Sequence, residues 1–274
     1  MFDNTVINQG KQLQSSLYKI CTRNDLEKAT TLSIQGPFFC LTNIDKKISN
    51  TILYNWNVSD DLTKFLVKAR LSILPTNFTT FIWNRENNPR CPFGCSHTES
   101  IAHLLNGCIR TFGNYYSRRH NRVVSILCKF LEKYKGSHHI YSEKNVETVF
   151  PKLRNNLLAL KHRRPDIIIV NKETKDCIVV EITVCFDIYL DKAHETKLDR
   201  YNPLMECLSR NGYSTRLFAL CFGSLGSIRN DVWNFLKSFS NDKLANKQVL
   251  KYCSISNIIG SNYIWRSRVK KILA

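Results

Sequence analysis

Nothing in this 274-residue sequence approaches the run of about 18 apolar residues that a membrane span requires. Its opening stretch, MFDNTVINQGKQLQSS, holds no apolar signal segment, which points away from secretion. Acidic residues are scarce: 22 Asp and Glu stand against 40 Lys and Arg, a formal net charge of +18. That imbalance favours a polyanionic partner, with nucleic acid first in line. No internal repeat or low-complexity tract is visible, which sets aside solenoids and repeat arrays. Gly223 and Gly226 bracket a tight turn but lack the lysine of a phosphate-binding P-loop.

Cysteine, by contrast, is plentiful. Eleven cysteines in a chain of this length, an odd number without a leader, do not read as a disulfide scaffold. The expectation is a reducing compartment, with some thiols on a metal and the rest buried as small apolar residues. One set has metal-ligand spacing: Cys91-x3-Cys95-x7-His103-x4-Cys108. Thiolates and imidazole suit tetrahedral zinc, and four protein ligands leave no position for water, so a zinc ion there is expected to be structural. Gly94 eases the Cys91–Cys95 turn. His103 and Cys108 come together on a helix expected from about Ser100, and His97 is a competing ligand.

A second constellation lies between Arg164 and Tyr201. Asp166 opens an apolar β-branched run, Ile167 to Val170. A polar turn follows, then a second run from Cys177 to Val184. Alternation puts Cys177, Val179, Glu181 and Thr183 on one face and Ile178, Val180, Ile182 and Val184 on the other. Pairing as a hairpin brings Asp166 near Glu181. Two carboxylates among apolar residues need a partner, and hard oxygen ligands suit magnesium, with the Ile182 carbonyl completing the shell. From Asp191 to about Gly212 the spacing is helical. Ala193, Lys197, Tyr201, Leu204 and Leu208 share a stripe, and Lys197 can reach the carboxylates. Pro203 is expected to kink or split that helix just after Tyr201.

The remaining segments read as follows. Residues 11–82 are mainly helical, with Ser59 capping a helix that carries Leu62, Phe65, Leu66, Ala69 and Ile73. Residues 110–135 form an amphipathic helix with a cationic side. Within it, His120 is either a phosphate contact or a surface histidine. A short strand surrounds Ile140 and Tyr141, and a helix of about ten residues starts near Pro151. That helix ends in Lys161-His162-Arg163-Arg164, beside Asp166, a position suited to a DNA backbone. Arg216 to Phe222 is a further strand of the same sheet, Ser227 to Phe239 a helix, and the basic tail a helix packed through Ile264, Val269 and Ile272.

The Asp166–Glu181–Lys197 set resembles the PD-(D/E)xK nuclease core of type II restriction enzymes, with Thr183 where a lysine usually stands. The displaced Lys197 makes it similar to one family, the restriction-like endonuclease domain of site-specific non-LTR retrotransposons. There RPD, then E-x-T or E-x-V, then A-x-x-x-K-x-x-K-Y recur in order. This chain has Arg164-Pro165-Asp166, Glu181-Ile182-Thr183, and Ala193, Lys197, Arg200 and Tyr201. Arg200 replaces the second lysine, which leaves it a phosphate-binding or structural role. The Cys91–Cys108 knuckle, Gln35-Gly36, Arg70-Leu71 with Leu74-Pro75-Thr76, and Arg119-His120-Asn121 also match. The resemblance runs from about Gln35 to Ile228.

It implies an α/β architecture: a helical linker (1–90), a zinc knuckle (91–108) and an endonuclease core with a central mixed sheet flanked by helices (109–274). It also implies nicking of chromosomal target DNA, which exposes a 3′ end to prime reverse transcription in the nucleus. Asp166, Glu181 and Lys197 would be catalytic, with magnesium on the two acids and zinc on Cys91, Cys95, His103 and Cys108. Arg119, Arg163, Arg164 and Arg200 would contact nucleic acid. DNA is the expected partner, with element RNA as a second. The sequence has no YADD-type motif, so a reverse transcriptase domain is expected in a full-length parent. A different class of function, a catalytically silent zinc-containing nucleic-acid-binding module, would use the same surface without cutting. A resolvase or repair nuclease on the same core would prefer branched DNA.

Overall fold

A computed structural model of the protein describes residues 22–54, 58–85 and 88–273. Residues 11–21 of the expected helical linker lie outside them. The organising element is a four-stranded sheet in the order β1 (His139–Ser142), β2 (Ile167–Asn171), β3 (Asp176–Cys185), β4 (Ser214–Gly223). β1–β2 and β2–β3 pair antiparallel and β3–β4 parallel, so the fold is mixed α/β with helices on both faces.

The β2–β3 hairpin forms where the apolar pattern expects it. Asn171 Oδ1 accepts the amides of Glu173 and Thr174 at 3.0 and 3.2 Å, folding the polar turn locally. Register pairs Ile167 with Val180, which sets Asp166, just before β2, opposite the Glu181 end of β3. The parallel return to β4 needs a crossover, and the helix Leu190–Arg210 provides it.

Alternation divides the sheet's two faces. Ile167, Ile169, Ile178, Val180 and Ile182 pack with Val123, Val124, Leu127, Phe130 and Leu131 of the long helix Ile109–Tyr134. Ile168, Val170, Cys177 and Val179 pack with Tyr201, Leu204 and Leu208 of the crossover helix. That helix runs unbroken through Pro203. Proline removes one hydrogen bond, but burial of Tyr201 and Leu204 on either side of it holds the helix together against that loss.

Other segments depart from the sequence pattern. The Ser59-capped helix ends at Arg70, and Ile73 lies beyond a turn in which Ser72 has φ 53°. The segment after Pro151 is one turn, Pro151–Leu153, joined to a short helix, Arg154–Leu158. The next helix spans Asn230–Lys237. The tail belongs to a 31-residue helix, Lys243–Leu273, in which Ile264 is buried but Ile272 is 45% exposed. No described helix is long and apolar enough to cross a membrane.

A third apolar cluster runs across all three expected units. It joins Ile52, Phe65 and Leu66 to Cys91, Leu104 and Cys108, and these to Phe186, Leu225, Ile258 and Ile264. Buried charges tie the same elements together. Arg268 meets fully buried Glu99 through two hydrogen bonds of 3.0 and 2.7 Å. Removing one partner of such a pair leaves an uncompensated interior charge. Arg268→Ala is therefore expected to cost about 3–5 kcal/mol in denaturant unfolding, with the Glu99→Leu, Arg268→Met double variant recovering most of it. Equal loss in both variants would contradict this account of the pair.

Candidate active site and metal cluster

The hairpin and the two flanking helices bring four side chains to one end of the sheet. Asp166 Oδ2 accepts the Ile182 amide at 2.6 Å, which fixes the carboxylate against β3. Glu181 lies on the crossover-helix face and is buried. Lys197 projects from that helix and donates to Glu181 Oε1 at 2.5 Å. One turn further along, Tyr201 packs beneath and donates to the Arg164 carbonyl at 3.3 Å. The fourth residue is His120, on the long helix across the sheet. Its Nε2 is 3.3 Å from Asp166 Oδ2 and 3.1 Å from the Ile182 carbonyl oxygen.

His120 was left undecided by its lone position in the sequence. Helical spacing holds the missed signal: His120 precedes Val123, Val124 and Leu127, the residues of the same helix that face the sheet.

The electrostatics follow from burial. Desolvation, aided by the neighbouring Asp166 charge, raises the Glu181 carboxyl above its usual range, while the Lys197 ammonium pulls it back. Burial likewise raises the Tyr201 phenol, which stays a neutral donor. For His120, burial opposes the charged ring. The Asp166 hydrogen bond and charge outweigh it, and the imidazole rises from 6.5 to about 9. The Glu181 Oε2 and Thr183 Oγ1 atoms are buried without hydrogen-bond partners. An orphaned carboxylate oxygen beside a second carboxylate and a backbone carbonyl is a donor set that fits a hard divalent cation.

A cationic rim surrounds the site. Arg164 is 61% exposed, bonded to the Glu143 carbonyl and carboxylate at 2.8 and 3.1 Å. Arg163 pairs with Glu147 at 3.3 Å, and Arg200 is exposed. Burial and the nearby charges of Arg200, Lys161 and Lys197 lower the His162 imidazole. Arg119 departs from its expected role as a nucleic-acid contact. It is only 2% exposed, donating to Ser261 Oγ at 2.7 Å and the Leu105 carbonyl at 3.0 Å. Its stem lies against Gly260, where a Cβ would come within 2.9 Å of Arg119 Cγ. Arg119 joins the long helix to the Lys243–Leu273 helix, and no phosphate can reach it there. Arg118 and Arg122, on the exposed side of the same helix, keep the cationic face.

The knuckle residues also converge. Ligand atoms of Cys91, Cys95, His103 and Cys108 lie within 4.8 Å of one another. Cys108 Sγ is 3.8 Å from Cys91 Sγ and 3.6 Å from Cys95 Sγ. Tetrahedral zinc with bonds of about 2.3 Å sets sulfurs about 3.8 Å apart, so the cluster is able to hold zinc. His103 Nε2 is buried without a hydrogen-bond partner. His97 stands outside the four-residue cluster and stacks on the His103 ring at 5.4 Å between centroids. The helix expected from Ser100 carries a wide π-type turn, His103–Gly107, just before Cys108. Burial pushes the Cys108 thiol up to about 12, so a bound cation is what would keep it a thiolate.

No family model matches the chain. Over 167 residues, 59% of its length, it is 28% identical to a retrovirus-related Pol polyprotein from the type-1 retrotransposable element R2 of Popillia japonica. Over 136 residues, half its length, it is 28% identical to the Pol polyprotein from the type-2 retrotransposable element R2DM of Drosophila melanogaster. The matches span 31% and 12% of these relatives, so the chain corresponds to less than a third of either. Among solved structures, an N-terminal domain of a reptarenavirus L protein aligns over 72% of this chain and 94% of that one. Its identity of 13% and TM-score of 0.32 are too low to support an argument.

Two outcomes follow from this geometry. Protein purified without chelator is expected to carry a single zinc by plasma mass spectrometry. Cys108→Ser should lose the metal and unfold at lower temperature, because zinc-binding free energy is folding free energy here; a variant keeping both zinc and Tm would contradict the cluster. In zinc-replete, magnesium-free buffer, the raised His120 pKa contributes stability that is full below pH 6.5 and lost as pH rises through about 9. His120→Ala should flatten that alkaline slope in Tm; an unchanged slope would count against the Asp166 pairing.

Proposed function

We propose that the chain is a metal-dependent DNA endonuclease of the retrotransposon type, nicking target DNA to supply a primer for reverse transcription. The observation that carries this is the meeting of Asp166, the orphaned Glu181 oxygen and the Lys197 ammonium at the end of one β-hairpin. Sequence similarity to R2 Pol polyproteins supports the same reading, as does the +18 charge. DNA is the proposed substrate, element RNA a further partner, and the nucleus the place of action. The proposed division is a helical linker to residue 90, a zinc knuckle at 91–108 and the endonuclease unit from 109.

In this mechanism Asp166, Glu181 and the Ile182 carbonyl would hold a magnesium ion. Such a cation lowers the pKa of water and draws charge off a phosphate. The residues of the chain do the rest. The Ile182 amide fixes Asp166, so the donor set is organised before substrate arrives. Lys197 keeps Glu181 in place and presents positive charge where the pentavalent phosphate gains negative charge. The unpartnered Thr183 hydroxyl can accept or donate a hydrogen bond to water or a phosphate oxygen. Arg163, Arg164 and Arg200 grip the strand backbone without reading bases.

Supercoiled plasmid with magnesium separates cutting from mere binding. Conversion to the nicked form is expected, lost in Asp166→Ala and slowed about 100- to 1,000-fold in Lys197→Ala. Plasmid bound at low salt but intact with every divalent metal would instead assign a silent binding module.

A further inference from the structure

We infer that His120 is a further protein ligand to the cation of the proposed endonuclease site, and that this nitrogen turns the site toward manganese over magnesium. The inference rests on the endonuclease reading and names a donor that the two acids and the carbonyl alone do not supply.

The geometry around the ring is that of a ligand. Its Nε2 lies 3.1 Å from the Ile182 carbonyl oxygen and 3.3 Å from Asp166 Oδ2. A carbonyl oxygen is an acceptor only and so is a carboxylate oxygen, so the ring can meet them only by sharing one N–H between the two. Both separations exceed the usual 2.9–3.0 Å or so, which makes a weak, divided hydrogen bond. They do match another arrangement. Neighbouring donors around an octahedral cation at about 2.1 Å lie about 3.0 Å apart. The imidazole nitrogen, the carboxylate oxygen and the carbonyl oxygen thus already stand near the corners that a divalent ion needs.

The other side of the ring agrees. Nδ1 is 3.1 Å from Asn121 Oδ1, an acceptor. A proton on Nδ1 donated to Asn121 fixes the tautomer that leaves the Nε2 lone pair free toward the cation. Metal-bound histidines are held by such a partner on their second nitrogen. His120 and Asn121 are consecutive residues of the long helix, whose packing on the sheet sets the ring's position.

The donor set decides the metal. An all-oxygen site suits magnesium, which gains little from an imidazole. A site with three oxygens and one nitrogen holds a first-row transition cation more firmly. Opposite His120, Glu181 and Lys197 close the site from the other face of the sheet. The ligand set therefore draws on both helices that flank the hairpin as well as on its strands.

The test uses the whole chain loaded with zinc, so that the cysteine cluster is filled, and manganese(II) as the probe. Pulsed electron paramagnetic resonance of bound manganese should show modulation from a directly coordinated 14N nucleus. His120→Ala should abolish the modulation and weaken manganese binding about tenfold or more, while magnesium affinity, read by competition, falls far less. Because His120 is partly exposed, that variant is expected to fold, and circular dichroism checks it. Manganese that Asp166→Ala releases but that never shows nitrogen modulation would overturn the His120 assignment and leave the endonuclease reading standing. Failure of the wild-type chain to hold manganese through Asp166 would overturn both.

Discussion

A carboxylate inside a sheet must find positive charge or give up its own. Glu181 is 6% exposed, and only one of its two oxygens is matched by the Lys197 ammonium. Asp166, a strand away, adds repulsion, and His120 answers it from the other side. The sheet end is therefore a place where two acids and two bases are held together by backbone register and helix packing, with one oxygen still unsatisfied. Burial without a partner costs several kcal/mol for a charged group. Such an arrangement is stable in the interior only if a further cation, or a proton, completes it.

The same constraint recurs away from the site and explains how the expected linker, knuckle and sheet cohere. Asp187 is fully buried just after β3 and accepts the amides of Leu225 and Ser227 at 2.8 and 3.0 Å. Gly223 must be glycine there, since a Cβ would fall 2.1 Å from Asp187 Oδ1. Arg70 donates to the Leu225 carbonyl from the linker helix, at 2.8 Å through one nitrogen, and so reaches the same turn. Arg119 and Arg268 bind the Lys243–Leu273 helix to the knuckle region. Each buried charge is matched by a fixed dipole or an opposite charge, and each such match joins segments far apart in sequence.

This pattern decides what could be read from the residues alone. The hairpin, its alternation and the stripe carrying Lys197 are local, set by period-2 and period-3.6 spacing, and they were legible. The nearness of Asp166 to Glu181 followed from antiparallel pairing. Knuckle convergence followed from ligand type and spacing. Arg119 was not legible, because its neighbours in sequence are basic and exposed while its burial depends on Gly260, more than a hundred residues later. His120 was ambiguous for the same reason: the partner that gives it meaning, Asp166, arrives only when the long helix packs on the sheet. Pro203 misled because a local hydrogen-bond loss was weighed without the burial of Tyr201 and Leu204 that opposes it.

The most direct test of the central claim is to locate the cation. Crystals of the chain grown with manganese, measured at the manganese absorption edge, should give an anomalous peak about 2.0–2.3 Å from oxygens of both Asp166 and Glu181. Lys197 should remain on the same side of the sheet. A manganese-saturated crystal with no peak between those two carboxylates would contradict the account.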